Sequence, residues 1–203
     1  MLDNFKIIAD IINTKQLTED NFFFVQIIKR RKENPEMGSN NITCDVLYVK
    51  DADDLVKKQA RIIKRCVDEN ARAYINLNVR SKRKVALQTM KIMAECIAND
   101  NYNVANAYTS AVGNTHNDPN KTWVVDIDFK PEMPAQYNEG FIVGLTHLIS
   151  ELIVETGKTP NIYKVPTKNG VHLITQPFNT QKFREIHTDI DIHKDNPTIL
   201  FVP

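Results

Sequence analysis

The sequence predicts an α+β fold in which an N-terminal α/β module at residues 1–115 packs with a β-α-β-β-α-β half at residues 116–203 to form one domain. Three features predict it. Apolar and polar residues alternate over 73–80, as in a half-buried strand. Apolar residues recur at helical spacing over 52–70. After residue 120, short apolar runs alternate with helical patterns and turn residues.

The composition is that of an ordinary globular chain. Of its 203 residues 42% are hydrophobic and 25% are charged, and the net charge is +1. Residues 1–100 hold 18 basic against 14 acidic residues, and residues 101–203 hold 8 against 11. Bulk charge therefore does not predict strong non-specific binding to nucleic acid. Since no apolar run reaches membrane-spanning length and no secretion signal is evident, we expect no membrane and a cytoplasmic location.

The N-terminal module is expected to begin with a helix over 18–34, followed by a strand over 42–49 and a helix over 52–70. Thr18 suits the N-cap of the first helix, 22–28 is a continuous apolar stretch, and Pro35 lies beyond the end. Its basic residues at 29–32 suit the helix dipole, so we interpret them as a solvated helix end rather than a phosphate site.

The strand over 73–80 leads directly into a predicted helix over 82–98 that Ser81 can cap. Basic residues crowd the start of this helix, where cations oppose the dipole and free N–H groups favour anions. We therefore predict contacts with a nucleic-acid backbone there, the alternative being an exposed helix start. The residues concerned are Arg80, Lys82, Arg83 and Lys84.

Residues 99–120 are rich in Asn, Thr, Gly and Asp, which indicates a loop and the boundary between the halves. The second half is then predicted to comprise a strand over 121–129, a helix over 136–156 closed by Gly157, strands over 161–165 and 171–176, a helix over 179–187 and a strand over 198–202. This order is typical of ferredoxin-like folds and of RNA-recognition-motif (RRM) folds. In such a fold the first and third strands are central neighbours and the fourth lies at an edge.

The strand over 121–129 carries two carboxylates on one face. Val125 and Ile127 point to one side, whereas Asp126 and Asp128 point to the other. Two carboxylates one strand repeat apart repel each other, so a divalent cation, Mg²⁺ or Mn²⁺, is their natural partner. The alternative is a strand whose second face is exposed to solvent and binds no metal.

The predicted topology brings a histidine to this pair of carboxylates. His172 falls on the third strand, and Lys164 and Lys168 belong to its hairpin. A histidine beside basic residues and across from carboxylates favours a triphosphate contact. We interpret the remaining histidines as structural or surface residues: His116, His147, His187 and His193.

The segment before the last strand supplies a candidate third carboxylate. Asp191 is the first choice, because Ile190 and Ile192 flank it as they would a ligand borne on a strand. Asp189 is the second choice and Asp195 the third.

Together these motifs resemble those of the archaeo-eukaryotic primase superfamily, which includes primases, primase-polymerases and the polymerase domains of bacterial end-joining ligases. Residues 125–128 resemble its hydrophobic-D-hydrophobic-D strand, 170–172 its small-x-H strand and 190–191 its late hydrophobic-D segment. The resemblance implies metal ligation by Asp126, Asp128 and the third aspartate, and nucleotide-phosphate contact by His172. The motifs lie within 123–203, and residues 1–115 would correspond to the family's less distinctive α/β module.

We therefore expect a metal-dependent, template-directed nucleotidyltransferase of primase or polymerase type. It would use nucleoside triphosphates, Mg²⁺ or Mn²⁺, and a DNA or RNA template, with a helicase or other replication protein as a further partner. One alternative is a non-catalytic nucleic-acid-binding module on the same fold, although such modules expose aromatics where this face has carboxylates. The other is a metal-dependent nuclease, which has less need of a triphosphate clamp.

Overall fold

A computed structural model describes residues 1–115, 118, 120–129 and 135–203, with the backbone alone at 135–137. Within these ranges no helix is long and apolar enough to cross a membrane. The described residues form nine strands and six helices: β1 (Leu2–Asp3), α1 (Phe5–Asn13), β2 (Asn21–Arg30), β3 (Asn41–Val49), α2 (Ala52–Glu69), β4 (Arg72–Ser81), α3 (Lys82–Ala98), α4 (Ala107–Asn114), β5 (Trp123–Asp128), α5 (Ala135–Val154), β6 (Tyr163–Pro166), β7 (Gly170–Thr175), α6 (Thr180–Ile186), β8 (Asp191–His193) and β9 (Thr198–Val202).

The strands form two antiparallel sheets, which confirms the mixed α+β class. The first sheet has the strand order β1-β9-β4-β2-β3, and the second has the order β6-β7-β5-β8. The last strand of the chain, β9, thus lies in the sheet built by the first part of the chain, between β1 and β4.

Both faces of the first sheet are covered at its interior strand β2, which is apolar on both sides. Phe23, Val25 and Ile27 are fully buried in a core shared with α1 and α2. On the other face Phe22 and Phe24 pack in a smaller cluster with residues of α3 and α4. Burial on both faces explains why β2 has no polar alternation.

The second sheet is apolar on one face and mixed on the other. Val125 and Ile127 of β5 pack in a core with α5 and α6, as the alternation of β5 predicted. On the opposite face Val124, Val165 and Ile174 join the core of the first sheet. The polar residues of that second face therefore lie where the two sheets come together.

The predicted helix over 18–34 is wrong, since the chain forms the strand β2 over most of that stretch. A continuous apolar run such as 22–28 has no period that separates a buried strand from a buried helix. Pairing with both β3 and β4 decides between them. The basic residues at 29–32 consequently lie at a strand end and in the following turn.

The predicted edge strand of the second half is also placed differently. The strand over 198–202 forms, as β9, but it belongs to the first sheet. The edge position beside β5 is taken by β8, a strand of three residues that was not predicted. A strand so short and polar carries too little alternation to be recognised.

Two helices were missed in the first half. The helix α1 buries Ile8, Ile11 and Ile12 at helical spacing, but its N-cap Asn4 makes no capping hydrogen bond. The helix α4 lies inside the predicted loop over 99–120, in a polar stretch where Ala111 and Val112 are fully buried. Tertiary packing rather than local propensity stabilises it.

The helix α3 forms as predicted, with the Ser81 side chain accepting a hydrogen bond from the backbone N–H of Lys84. Its apolar residues, however, are mostly not in the core. Val85 alone among the residues of α3 is buried, whereas Leu87 is 58% exposed and Met90 is 67% exposed.

The polar residues of β4 are buried and connect the two sheets. Asn78 and Arg80 are 4% and 2% exposed. The Arg80 guanidinium donates to the carboxylate of Asp195, with 2.9 Å between Nη2 and Oδ2, and its Nε donates to the carbonyl of Val112. The Asn78 amide donates to Asp195 and to the carbonyl of Thr122, which precedes β5. The polar residues that alternate along β4 thus belong to a buried polar network and do not form a solvent-exposed face.

We predict that Arg80→Ala lowers the free energy of unfolding by about 1.5–3 kcal/mol, because it removes an almost fully buried guanidinium that donates hydrogen bonds to Asp195 and to the carbonyl of Val112. The matched control is Arg83→Ala, an exposed neighbour, which should change stability by no more than about 0.5 kcal/mol. Urea unfolding followed by circular dichroism measures both. Equal stability of the two variants would contradict the network's role.

Candidate functional site

Three polar residues form a row across the centre of the second sheet. In the antiparallel register Asp126 of β5 is paired with His172 of β7 on one side and with Asp191 of β8 on the other. Residues paired directly across an antiparallel ladder point to the same face. Asp128 lies two residues along β5 and so shares this face. We call these four residues the carboxylate face.

His172 is held from both sides. Its Nε2 atom lies 3.3 Å from Oδ1 of Asp126, and its Nδ1 atom lies 2.8 Å from the hydroxyl oxygen of Thr198. Because Thr198 begins β9, the histidine connects the second sheet to the first. Both ring nitrogens therefore have partners within the protein.

Asp126 is ionised at neutral pH. The hydrogen bond from His172 is the largest effect, and it lowers the pKa of Asp126 below its ordinary value of 3.8. Partial burial opposes this shift, and the charges of His172 and His193 lower the pKa further. His193 was expected to be a structural or surface residue, but it lies on β8 next to this carboxylate's strand.

The glycine two residues before His172 is required by a close backbone contact. A Cβ atom on Gly170 would lie 1.9 Å from the carbonyl oxygen of Ile127. The turn after β6 also closes over the end of β5, since the N–H of Phe129 donates to the carbonyl of Asn169 at 2.8 Å. Glycine at this position thus allows β7 to lie against β5 in the register that pairs His172 with Asp126.

The carboxylate face borders a cleft of about 430 Å³ between the two sheets. Asp126, Asp128 and His172 line one side of it. The first sheet and its turns supply basic residues, and the β6–β7 turn adds another. These cations are Arg30, Lys32, Arg72 and Lys168.

The cations of the cleft differ in their availability. Arg72 is paired with Glu33, and Arg30 is within 3.5 Å of the Tyr74 hydroxyl. Lys32 and Lys168 are exposed and have no ion-pair partner in the described part of the chain. Two lysines are therefore free to meet an anionic ligand that enters the cleft.

Lys164, predicted to act beside His172, is not brought to the cleft. It is paired in register with Leu173, one residue from His172, and so points to the opposite face. There its Nζ lies 3.0 Å from Oε1 of Glu139 on α5. Of the two hairpin lysines, Lys168 alone lines the cleft.

The basic group at the start of α3 is likewise separate from the cleft. Arg80 is excluded from contact with a nucleic-acid backbone, because its side chain is 1% exposed and paired with Asp195. Lys82 donates to the backbone carbonyl of Glu19. Arg83 and Lys84 are exposed to solvent.

The candidates for the third carboxylate have different surroundings. Asp191 is exposed on β8, directly across from Asp126. Asp189 is exposed and lies outside the strand. Asp195 accepts hydrogen bonds from Arg80 and Asn78, so its carboxylate serves the link between the sheets.

The donor set suits a hard divalent cation in its chemistry. Asp126, Asp128 and Asp191 offer carboxylate oxygens on one face, and such oxygens are the ligands that Mg²⁺ and Mn²⁺ prefer. The side chains of Asp128 and Asp191 make no ion pair or hydrogen bond to another described residue. No three His, Cys, Asp or Glu side chains within the described ranges are arranged as a metal-binding group.

Sequence reasoning missed the cations from the first sheet. Arg30 and Lys32 were assigned to a helix end, and Arg72 lies just before the alternating stretch of β4. Their position near the carboxylate face depends on how the two sheets pack together, and no local sequence pattern predicts that packing. The basic run at 29–32 was the available signal.

His116 lies outside the described residues.

Comparison with protein-family models, with curated proteins and with solved structures gave no match to this chain.

We predict that His172→Ala raises the pKa of Asp126, because burial remains while the hydrogen bond that lowers it is lost. A depressed folded-state pKa contributes stability above the ordinary value of 3.8, and this contribution is lost as the pH falls through the folded-state pKa. The variant should therefore lose less stability than the parent between pH 5 and pH 3. Carboxyl-carbon NMR titration measures the pKa, and Lys164→Ala on the opposite face is the control. An unchanged midpoint would contradict the pairing.

Proposed function

We propose that the chain is a metal-dependent, template-directed nucleotidyltransferase of primase-polymerase type. The observation that carries the proposal is the charge arrangement of the cleft, with the carboxylate face on one side and unpaired lysines around it. A nucleoside triphosphate needs both: cations for its phosphates, and carboxylates that hold divalent metal beside the reacting phosphorus.

Mg²⁺ or Mn²⁺ held by Asp126, Asp128 and Asp191 would activate the attacking 3′-hydroxyl and stabilise the leaving pyrophosphate. The protein's own residues position and neutralise charge. The hydrogen bond from His172 lowers the pKa of Asp126, which favours the carboxylate form that a metal ligand needs. Lys32 and Lys168 bind the triphosphate from two different segments of the chain.

His172 contributes to this site in two ways in the proposal. It orients Asp126 through the contact at 3.3 Å, and Thr198 fixes the plane of its ring. It also contacts a nucleotide phosphate, as the resemblance of residues 170–172 to the small-x-H motif implies. A phosphate contact requires the ring to share its Nε2 atom between Asp126 and the ligand.

The topology supports the finer assignment of fold. The order β6-β7-β5-β8, counted along the second half, corresponds to strands 2-3-1-4 of a β-α-β-β-α-β unit. We infer that residues 116–203 form an RRM-like catalytic module whose edge strand is β8. Residues 1–115 with β9 form the partner module that supplies the cations of the cleft.

The test is incorporation of labelled nucleotides with Mg²⁺ or Mn²⁺ on templates with and without primers. The parent should incorporate, and Asp126→Asn should abolish incorporation. Lys168→Gln and His172→Ala should each weaken triphosphate binding by about 10- to 150-fold, the value of one charge-assisted hydrogen bond of about 1.5–3 kcal/mol.

Two matched variants control for charge alone. Lys164→Gln removes a lysine of the same hairpin on the opposite face, and Asp189→Asn removes an exposed aspartate off the strand, so both should retain activity. Metal-dependent cleavage without triphosphate dependence would identify a nuclease instead. Template binding without either reaction would identify a binding module.

We also propose that Lys82, Arg83 and Lys84 contact the template backbone. Replacing Arg83 and Lys84 by Gln should weaken template binding and flatten its salt dependence by about one unit of slope per contact. Fluorescence anisotropy with labelled single-stranded DNA measures the slope. Lys91→Gln, further along the same helix, is the control, and a slope equal to that of the parent would leave these residues as solvated surface.

A further inference from the structure

A second groove, distinct from the candidate cleft, lies at the other end of the β5–β7 pair. Its volume is about 670 Å³, and it lies between the end of α1, the segment before β5 and the end of β7. The pair Trp123 and Thr175 marks this end, three residues from the pair Asp126 and His172. At about 3.4 Å per residue these two residue pairs are about 10 Å apart along the strands. We call this second site the Lys15 groove.

Lys15 is a poorly compensated cation. Its side chain is 12% exposed, and burial lowers its pKa more strongly than Asp118 raises it. Its Nζ lies 3.4 Å from Oδ2 of Asp118 and 2.9 Å from the hydroxyl of Thr122. The contact with the carboxylate is thus long for a charge-assisted hydrogen bond.

Asp118 is occupied by other donors. Its Oδ2 accepts from the backbone N–H of Val79 at 2.9 Å, and its Oδ1 accepts from the backbone N–H of Asn120 at 2.8 Å. The bond from Val79 ties residue 118 to β4, and the bond from Asn120 is local. The carboxylate therefore serves mainly to position the backbone, and it only partly neutralises Lys15.

Two further lysines, Lys121 and Lys158, line the same groove. Both are exposed, and neither has an ion-pair partner in the described part of the chain. Three cations thus face one carboxylate that is already hydrogen-bonded. An anion bound between the lysines would relieve this imbalance, and a phosphate group has the charge and the acceptor oxygens to do so.

The groove also has features that suit an organic ligand. Its volume falls within the range of about 300–1,000 Å³ of small-molecule sites. The side-chain amides of Gln16 and Asn120 make no hydrogen bond to another described residue, and the half-buried Tyr163 and Pro177 supply apolar surface. Within the described lining of the groove the basic residues are Lys15, Lys121 and Lys158, a group of the size that one phosphate needs and not a continuous stripe of the kind that tracks a nucleic-acid backbone.

We propose that the Lys15 groove binds the phosphate group of a small organic phosphate of nucleotide size. Lys15, Lys121 and Lys158 hold the phosphate, while the amides and the apolar floor hold the remainder of the molecule. This site stands independently of the reaction proposed for the cleft.

The test is titration of ¹⁵N-labelled protein with adenosine diphosphate, inorganic phosphate and adenosine, in EDTA so that metal-dependent binding in the cleft is suppressed. Adenosine diphosphate should shift the amide signals of Gln16, Thr122 and Gln176 and leave those of Asp126 and His172 in place. It should bind about tenfold or more tightly than phosphate or adenosine alone, because both parts of the groove are used.

The variant Lys121→Gln with Lys158→Gln should weaken this binding by about tenfold or more, and both positions are exposed, so the fold is retained. Lys168→Gln in the cleft is the matched control and should bind like the parent. Absence of shifts in the groove, or binding unaffected by the double variant, would overturn the proposal. If inorganic phosphate bound as tightly as adenosine diphosphate, the claim that the ligand has an organic part would be wrong. If a single-stranded oligonucleotide bound far more tightly, the occupant would be nucleic acid and the proposal would be overturned.

Discussion

The guanidinium of Arg80 is almost fully buried, and a charge in that position has to be paired. Asp195 pairs it from the segment between β8 and β9, and Asn78 attaches the residues just before β5 to the same strand. Two strands of the second sheet are thereby anchored to β4 of the first. The relative position of the sheets, and with it the width of the cleft, depends on this polar network.

An anchored pair of sheets can keep opposite charges apart. The carboxylates of Asp126 and Asp128 face a cleft that also contains Lys32 and Lys168, yet the described side chains form no salt bridge between these two groups. Side chains on a pliable surface would collapse into such pairs. Held on two anchored sheets and their turns, they present charge that a ligand meets without first breaking internal contacts, which is the basis of electrostatic preorganisation.

Sequence patterns predicted those features that depend on local periodicity. The alternation along β5 correctly placed Val125 and Ile127 on the face opposite Asp126, and Ser81 was correctly identified as a helix cap. The alternation of polar and apolar residues along β4 could not distinguish a solvent-exposed face from a buried polar network, because both give a period of two residues. The face on which Lys164 lies depends on the register of its hairpin, and a shift of one residue moves every side chain to the other face. The meeting of two sheets, which brings Arg30 to the cleft, is a long-range event without a local signal.

The insertion of β9 between β1 and β4 also has a consequence for folding during synthesis. Until residues 198–202 have left the ribosome, β4 is an edge strand with unpaired backbone groups beside its buried apolar positions. The first sheet can therefore close only after residues 198–202 have been translated, although its other strands are made much earlier. Pairings between segments so far apart in the sequence are slow to form, so the nascent protein passes through a state with an exposed, unpaired sheet edge that is prone to aggregation.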